Sequence, residues 1–154
     1  MTILGMGNTG MRDDGVGVLL ARMLREQPPA GGWPGSVELV CAERDPALAA
    51  AYLAEGKQVL VIDAVDMKGA PGSWRIFSPH ELAQRRGIAS GCSSHTLSVD
   101  GILELARGMG WTGQLRILGI QVGDVRPGRF LSPGVKRCVP EVLARIREEA
   151  EAVS

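Results

Sequence analysis

Val59-Leu60-Val61-Ile62-Asp63 is a run of four apolar residues that ends in a carboxylate. The run has no polar alternation, so neither face of the segment suits water. That is the pattern of a strand in a parallel sheet covered by helices on both sides. Just before it, Pro46 to Leu53 predicts a helix; just after it, Gly69-Ala70-Pro71-Gly72 marks a turn and Ser73 to Phe77 a further strand. Toward the N-terminus, Thr2 to Gly7 predicts a first strand. Val16 to Arg25 follows, with Val16, Leu19, Leu20, Met23 and Leu24 at the spacing of an amphipathic helix. The Pro/Gly-rich stretch Gln27 to Ser36 then leads into a second strand, Val37 to Cys41. Toward the C-terminus, Ser78-Pro79-His80-Glu81 has the form of a capping box with proline at the first helical position. A helix is expected after His95, a strand over about Leu115 to Gln121, and a last helix using Val135, Val139, Val142, Leu143 and Ile146.

Alternating strands and helices predict an α/β fold, a three-layer αβα sandwich around a five-stranded mixed, mostly parallel sheet. The link between the third and fourth strands is too short for a crossover helix, so that pair is expected to be antiparallel. In such sheets the functional crevice lies beyond the carboxyl ends of the strands. The length, 154 residues, suits one domain over 1–154 with one core.

Composition narrows the function. Lys plus Arg and Asp plus Glu are 17 each, so no broad cationic field draws nucleic acid or an anionic membrane. The apolar runs are strand-sized, far below a membrane span. Met1 leads directly into a strand-like segment without a basic region or cleavage site, which predicts a cytoplasmic protein. Cys41, Cys92 and Cys138 are widely spaced without a C-x-x-C, consistent with reduced thiols and not with a zinc ribbon.

Gly5-Met6-Gly7-Asn8-Thr9-Gly10 matches the dinucleotide-binding pattern G-x-G-x-x-G. Its surroundings do not. A phosphate-binding loop opens a helix whose N-terminus faces the anion. Here Met11-Arg12-Asp13-Asp14-Gly15 intervenes and sets two carboxylates where phosphates would lie; Arg12 can offset one of them. The acidic residue expected about 20 positions on falls in the Pro/Gly-rich stretch, and Glu43 is too distant to replace it. No nucleotide cofactor is therefore expected. Helix capping is the structural alternative for Asp13 or Asp14. It accounts for one aspartate better than for a pair, and Gly15 and Gly17 point to close backbone approach.

Asp63 should project from the tip of its strand at the same edge; Asp66 is a nearby alternative, and either could simply form a turn. Of the two histidines, His80 belongs to a capped first turn and is expected on the surface. His95 opens a helix after a glycine-containing loop. Two carboxylates and an imidazole make an N/O set suited to a borderline divalent ion such as zinc or nickel. A Cys92–His95 thiolate pair is the competing nucleophile, and Ser93 and Ser94 lack a G-x-S-x-G elbow.

Four blocks now stand in order: Gly5–Gly17 (GMGNTGMRDDGVG), Val61–Ser73 (VIDAVDMKGAPGS), Ser93–Ala106 (SSHTLSVDGILELA) and Leu118–Pro133 (LGIQVGDVRPGRFLSP). Together they resemble the NiFe-hydrogenase maturation endopeptidases, particularly those serving hydrogenase 3-type enzymes. The resemblance spans essentially the whole chain. It implies an endopeptidase that removes a short C-terminal extension from the hydrogenase large-subunit precursor after nickel insertion, with nickel presented by that precursor. It places the family's metal-contacting and catalytic positions on Asp14, Asp63 and His95. One departure is visible. Many members carry Asp-Gly-Gly after strand two, where this chain has Val40-Cys41-Ala42-Glu43-Arg44-Asp45. A Rossmann-like nucleotide-binding protein and a non-proteolytic nickel-sensing assembly partner are the alternative functions.

Overall fold

The computed structural model describes residues 1–81 and 99–153. Five strands form one sheet: β1 (Thr2–Gly7), β2 (Glu38–Glu43), β3 (Gln58–Val65), β4 (Trp74–Phe77) and β5 (Gln114–Gln121), in the order β2-β1-β3-β5-β4. Four of them run parallel, and β4 is antiparallel to β5 at one edge. The helices are α1 (Val16–Glu26), α2 (Pro46–Glu55), α3 (Val99–Gly108) and α4 (Pro133–Glu151). A short 3-10 turn, Arg12–Gly15, precedes α1.

The pleat divides the core in two. Val59 and Val61 of β3 pack with Leu4, Leu115 and Ile117 against Ala49, Ala50 and Leu53 of α2 and Ile102, Leu103 and Ala106 of α3. Leu60 and Ile62, the alternating residues, pack with Ile3, Leu118 and Ile120 against α1 and α4. Both faces of the apolar run are thus covered, and the sheet is the middle layer of an αβα sandwich. Each fully buried aliphatic side chain contributes on the order of 2 kcal/mol.

Local chemistry sets the ends. Asp45 caps α2 by accepting from the Leu48 N–H at 2.9 Å, with Pro46 at the first helical position. The capping box is formed: Ser78 N–H donates to Glu81 Oε2 and Glu81 N–H to Ser78 Oγ. His80 is exposed.

Three expectations are corrected. β2 runs on to Glu43, paired through Gly7 of β1. β3 continues past Asp63 to Val65, because Asp63, Ala64 and Val65 all pair with β5. Asp63 is therefore near the carboxyl edge but inside the strand, not at its tip. Finally, β4 does not pair with β3, since β5 lies between them. Stepping over one strand needs about 10 Å, which the link from Asp66 to Ser73 spans easily.

Packing is close where α1 crosses the sheet. A Cβ on Gly17 would stand 2.5 Å from the Met6 carbonyl oxygen and closer still to that of Ile62, and a Cβ on Gly5 would strike Gly17 and Ala21. Only glycine at both positions lets α1 lie this close to β1 and β3. Gly17→Ala should lower unfolding free energy by about 3 kcal/mol, read as a shifted urea midpoint with an unchanged slope.

Candidate functional site

The carboxyl ends of β1, β3 and β5 carry three loops, and one buried carboxylate ties two of them together. Asp13 is 0 % exposed. Its Oδ2 accepts from the N–H groups of Gly123 and Asp124, both at 2.8 Å, and from Ser132 Oγ at 2.7 Å. Its Oδ1 accepts from the Ser132 N–H at 2.7 Å. Asp13 therefore caps neither the 3-10 turn nor α1, whose N-cap Gly15 makes no side-chain bond. It sits instead at the start of α4, where the helix dipole favours negative charge. The backbone reinforces the clamp. Arg12 N–H donates to Gly128 O, Gly128 N–H to Gly10 O, and Asp13 N–H to Asp124 O.

The first loop folds back on itself rather than opening a helix. Asn8 N–H donates to Asp14 O, and Gly7 at φ +131° lets the chain turn where any Cβ would strike that oxygen. The G-x-G-x-x-G stretch thus serves close packing: Gly5 lies under α1 and Gly7 under Asp14. Arg12, in the left-handed region at φ 46°, turns away from both neighbouring aspartates and pairs with Asp124 at 3.0 Å.

Most acidic groups at this edge have structural partners. Asp124 is held by Arg126 and Arg12, which keep its carboxyl far below the usual range. Asp66 accepts from the Lys68 ammonium and backbone N–H and from Gln121 Nε2, which pull its pKa down to about 2. It forms the β3–β4 turn together with buried Gln121, whose Oε1 accepts from the N–H groups of Met67 and Gly69. Glu43, at the end of β2, accepts from the Thr9 hydroxyl and N–H and from Arg22, and its pKa is lowered chiefly by the Thr9 hydroxyl.

Asp14 differs from all of these. It is half-buried in the 3-10 turn, and no cationic side chain among the described residues pairs with it. Burial raises its pKa, and a hydrogen bond from the Asn8 backbone offsets this only in part. Asp63 lies on β3 one residue beyond Ile62, which pairs with Gly5, so it is level with Met6 near the end of β1. The strand alternation directs Asp63 to the α2/α3 side. Its β5 neighbour is Gly119, which presents no side chain beside it, and its Oδ1 accepts from Ala64 N–H at 2.9 Å.

His95, like Cys92, Ser93 and Ser94, lies outside the described residues. Among the described residues no three His, Cys, Asp or Glu side chains stand together as a metal-holding group. The 3-10 turn bearing Asp14 packs against β3, the strand of Asp63. The end of α3 meets the amino edge of the sheet, where Trp111 Nε1 donates to Gly56 O and Gln114 N–H to Lys57 O. α3 therefore begins toward the carboxyl edge, four residues after His95 in sequence. Sequence reasoning missed Asp13 as a clamp, Gln121 as a turn anchor and the Glu43–Thr9 bond. The visible sign was a second polar block, Gln121–Ser132, rich in glycine and proline immediately after a buried strand.

Asp13→Ala would remove the acceptor shared by three N–H groups and the Ser132 hydroxyl, and a loss of about 3 kcal/mol is expected in urea unfolding. Asp14→Asn should act in the opposite direction. Because the folded-state pKa is raised, wild-type stability is fully present below the ordinary aspartate value of 3.8 and is lost as pH rises through the raised pKa. The asparagine variant should therefore match wild type in acid and exceed it at neutral pH, measured as denaturation midpoints across a pH series.

The family model described as hydrogenase maturation protease, HycI, matches residues 21–149. A comparison with curated protein sequences found no match. Among solved structures, the hydrogenase maturating endopeptidase HybD from E. coli superposes with a TM-score of 0.83 at 21 % identity, covering 99 % of this chain and 93 % of that one. A NiFe hydrogenase maturation protease HycI from Thermococcus kodakarensis KOD1 gives 0.70 at 22 % identity, over 97 % and 91 % of the two chains. A hydrogenase 3 maturation protease gives 0.72 at 26 % identity, over 96 % and 88 %. The structures below 25 % identity speak for the fold; the family model, spanning most of the sequence, assigns the protein. The chain belongs to the hydrogenase maturation protease family, whose members are peptidases.

Proposed function

We propose that this protein removes the C-terminal extension of a NiFe-hydrogenase large-subunit precursor once nickel has been inserted, and that Asp14, Asp63 and His95 receive the nickel the precursor presents. The observation that carries the reading is Asp14. Asp13, Glu43, Asp66 and Asp124 around this edge have evident structural work, whereas Asp14 bears a burial penalty that no described cation relieves. A divalent ion docked against it supplies the missing charge. Asp63 adds a second oxygen ligand at the same edge, and His95 completes an N/O set suited to nickel.

The chemistry follows from that docking. Nickel is part of the substrate, so a precursor without it offers the site no handle. Seating the ion against fixed side chains places the adjoining peptide bond, and the ion polarises the scissile carbonyl or a water molecule. No serine or cysteine nucleophile is needed. The structural carboxylates of Asp13 and Glu43 hold the loop that carries Asp14 and stay out of the proton transfers.

The loop geometry disfavours the nucleotide alternative, since Asp13 and Asp14 stand between the glycine motif and α1. Intact mass spectrometry of the nickel-loaded precursor tests the proposal. Wild type should remove a discrete C-terminal mass, leave nickel-free precursor uncut, and lose at least about a hundredfold in rate in Asp14→Ala, Asp63→Ala and His95→Ala. Nickel-dependent binding without any mass change would point instead to a non-proteolytic assembly partner.

A further inference from the structure

The reading above makes the substrate a protein, and the inference here rests on it. Phe130 is 84 % exposed, the most exposed large hydrophobic side chain described; Met109 follows at 57 %. It lies between β5 and α4, on a loop joined to the one that carries Asp14. Gly128, two residues before it, exchanges backbone hydrogen bonds with Gly10 and Arg12. Ser132, two residues after it, is held by Asp13 through both its N–H and its hydroxyl. The aromatic ring is therefore displayed from a backbone fixed on both sides. Ordering entropy that a loose loop would lose on binding has already been spent in folding.

The charged residues nearest Phe130 in sequence, Arg126 and Arg129, are both basic. Asp124, farther back on the same loop, is ion-paired with both Arg12 and Arg126. Arg126 and Arg129 are exposed, and among the described residues Arg129 forms no ion pair. An exposed aromatic next to a free guanidinium is the composition of a protein-binding hot spot. We propose that Phe130 and Arg129 dock the precursor polypeptide next to the cleavage site. An apolar precursor side chain would cover the ring, and a neighbouring precursor carboxylate would pair with the guanidinium. Charge complementarity selects an acidic segment, and the shared backbone with Gly10–Asp14 ties its position to the bond being cut.

The test compares wild type, Phe130→Ser and Arg129→Glu, each with nickel-loaded precursor. Biolayer interferometry reads binding, and intact mass reads cleavage. Both variants should keep the wild-type thermal midpoint, bind about tenfold or more weakly, and show the loss in KM rather than kcat. Added salt should weaken wild type more than Arg129→Glu. Unchanged affinity and KM in both variants would overturn the docking surface. If wild type binds without cutting, the endopeptidase reading fails, and the variants' affinities still decide the surface. If wild type does not bind the precursor at all, both ideas are overturned.

Discussion

A carboxylate with no exposed surface is costly unless every lone pair is met, and Asp13 meets that cost with three N–H groups and one hydroxyl. Its donors come from the far end of the chain, more than 100 residues away. One short side chain thus joins the β1–α1 loop to the β5–α4 loop and to the first turn of the last helix. The positions of Asp14, Arg12 and Phe130 all follow from that join. Without it, two loops that differ in sequence and length would sample their own conformations over the sheet edge. The helix pays a small toll, because Ser132 gives its hydroxyl to Asp13 and makes no capping bond of its own.

The acidic residues at this edge divide by what surrounds them. Asp13, Glu43, Asp66 and Asp124 all accept from donors or pair with cations, and each fixes a loop. Asp14 is half-buried, short of donors and raised in pKa. Local composition does not separate Asp13 from Asp14, which are adjacent and identical. The 3-10 turn separates them by sending one side chain inward to α4 and leaving the other half-buried, with no cationic partner among the described residues. Functional sites commonly hold such a destabilised group, and the surrounding clamp supplies the stability that keeps it in place.

Sequence patterning was enough for the layers. The unbroken apolar run of β3, the helical spacing of α1 and the capping box at Ser78–Glu81 are local signals, and each appears as expected. Strand order was not legible, because insertion of β5 between β3 and β4 is decided by long-range pairing. The ends of β2 and β3 have a related reason: the expected second strand stops at Cys41 and the apolar run of β3 at Ile62, yet pairing with neighbouring strands extends β2 to Glu43 and β3 to Val65. Asp14 and Asp63 stood out in the sequence as candidates, one in a glycine-rich loop after β1 and the other at the end of an apolar run. Asp13's partners were not, since no local pattern announces a hydrogen bond that spans 119 residues.

The glycine motif shows how one sequence pattern serves two physical ends. In a phosphate-binding loop, glycines admit an anion to bare backbone; here they admit protein to bare backbone. Gly5 takes the flank of α1 at Gly17, and Gly7 takes the Asp14 carbonyl. The space that would hold a pyrophosphate is filled by the 3-10 turn, which brings its own carboxylates. Such an edge is ill suited to a phosphate. The same close packing that makes α1 hug the sheet therefore also puts carboxylates, rather than bare backbone open to an anion, at this edge, and that arrangement begins with where a side chain is missing.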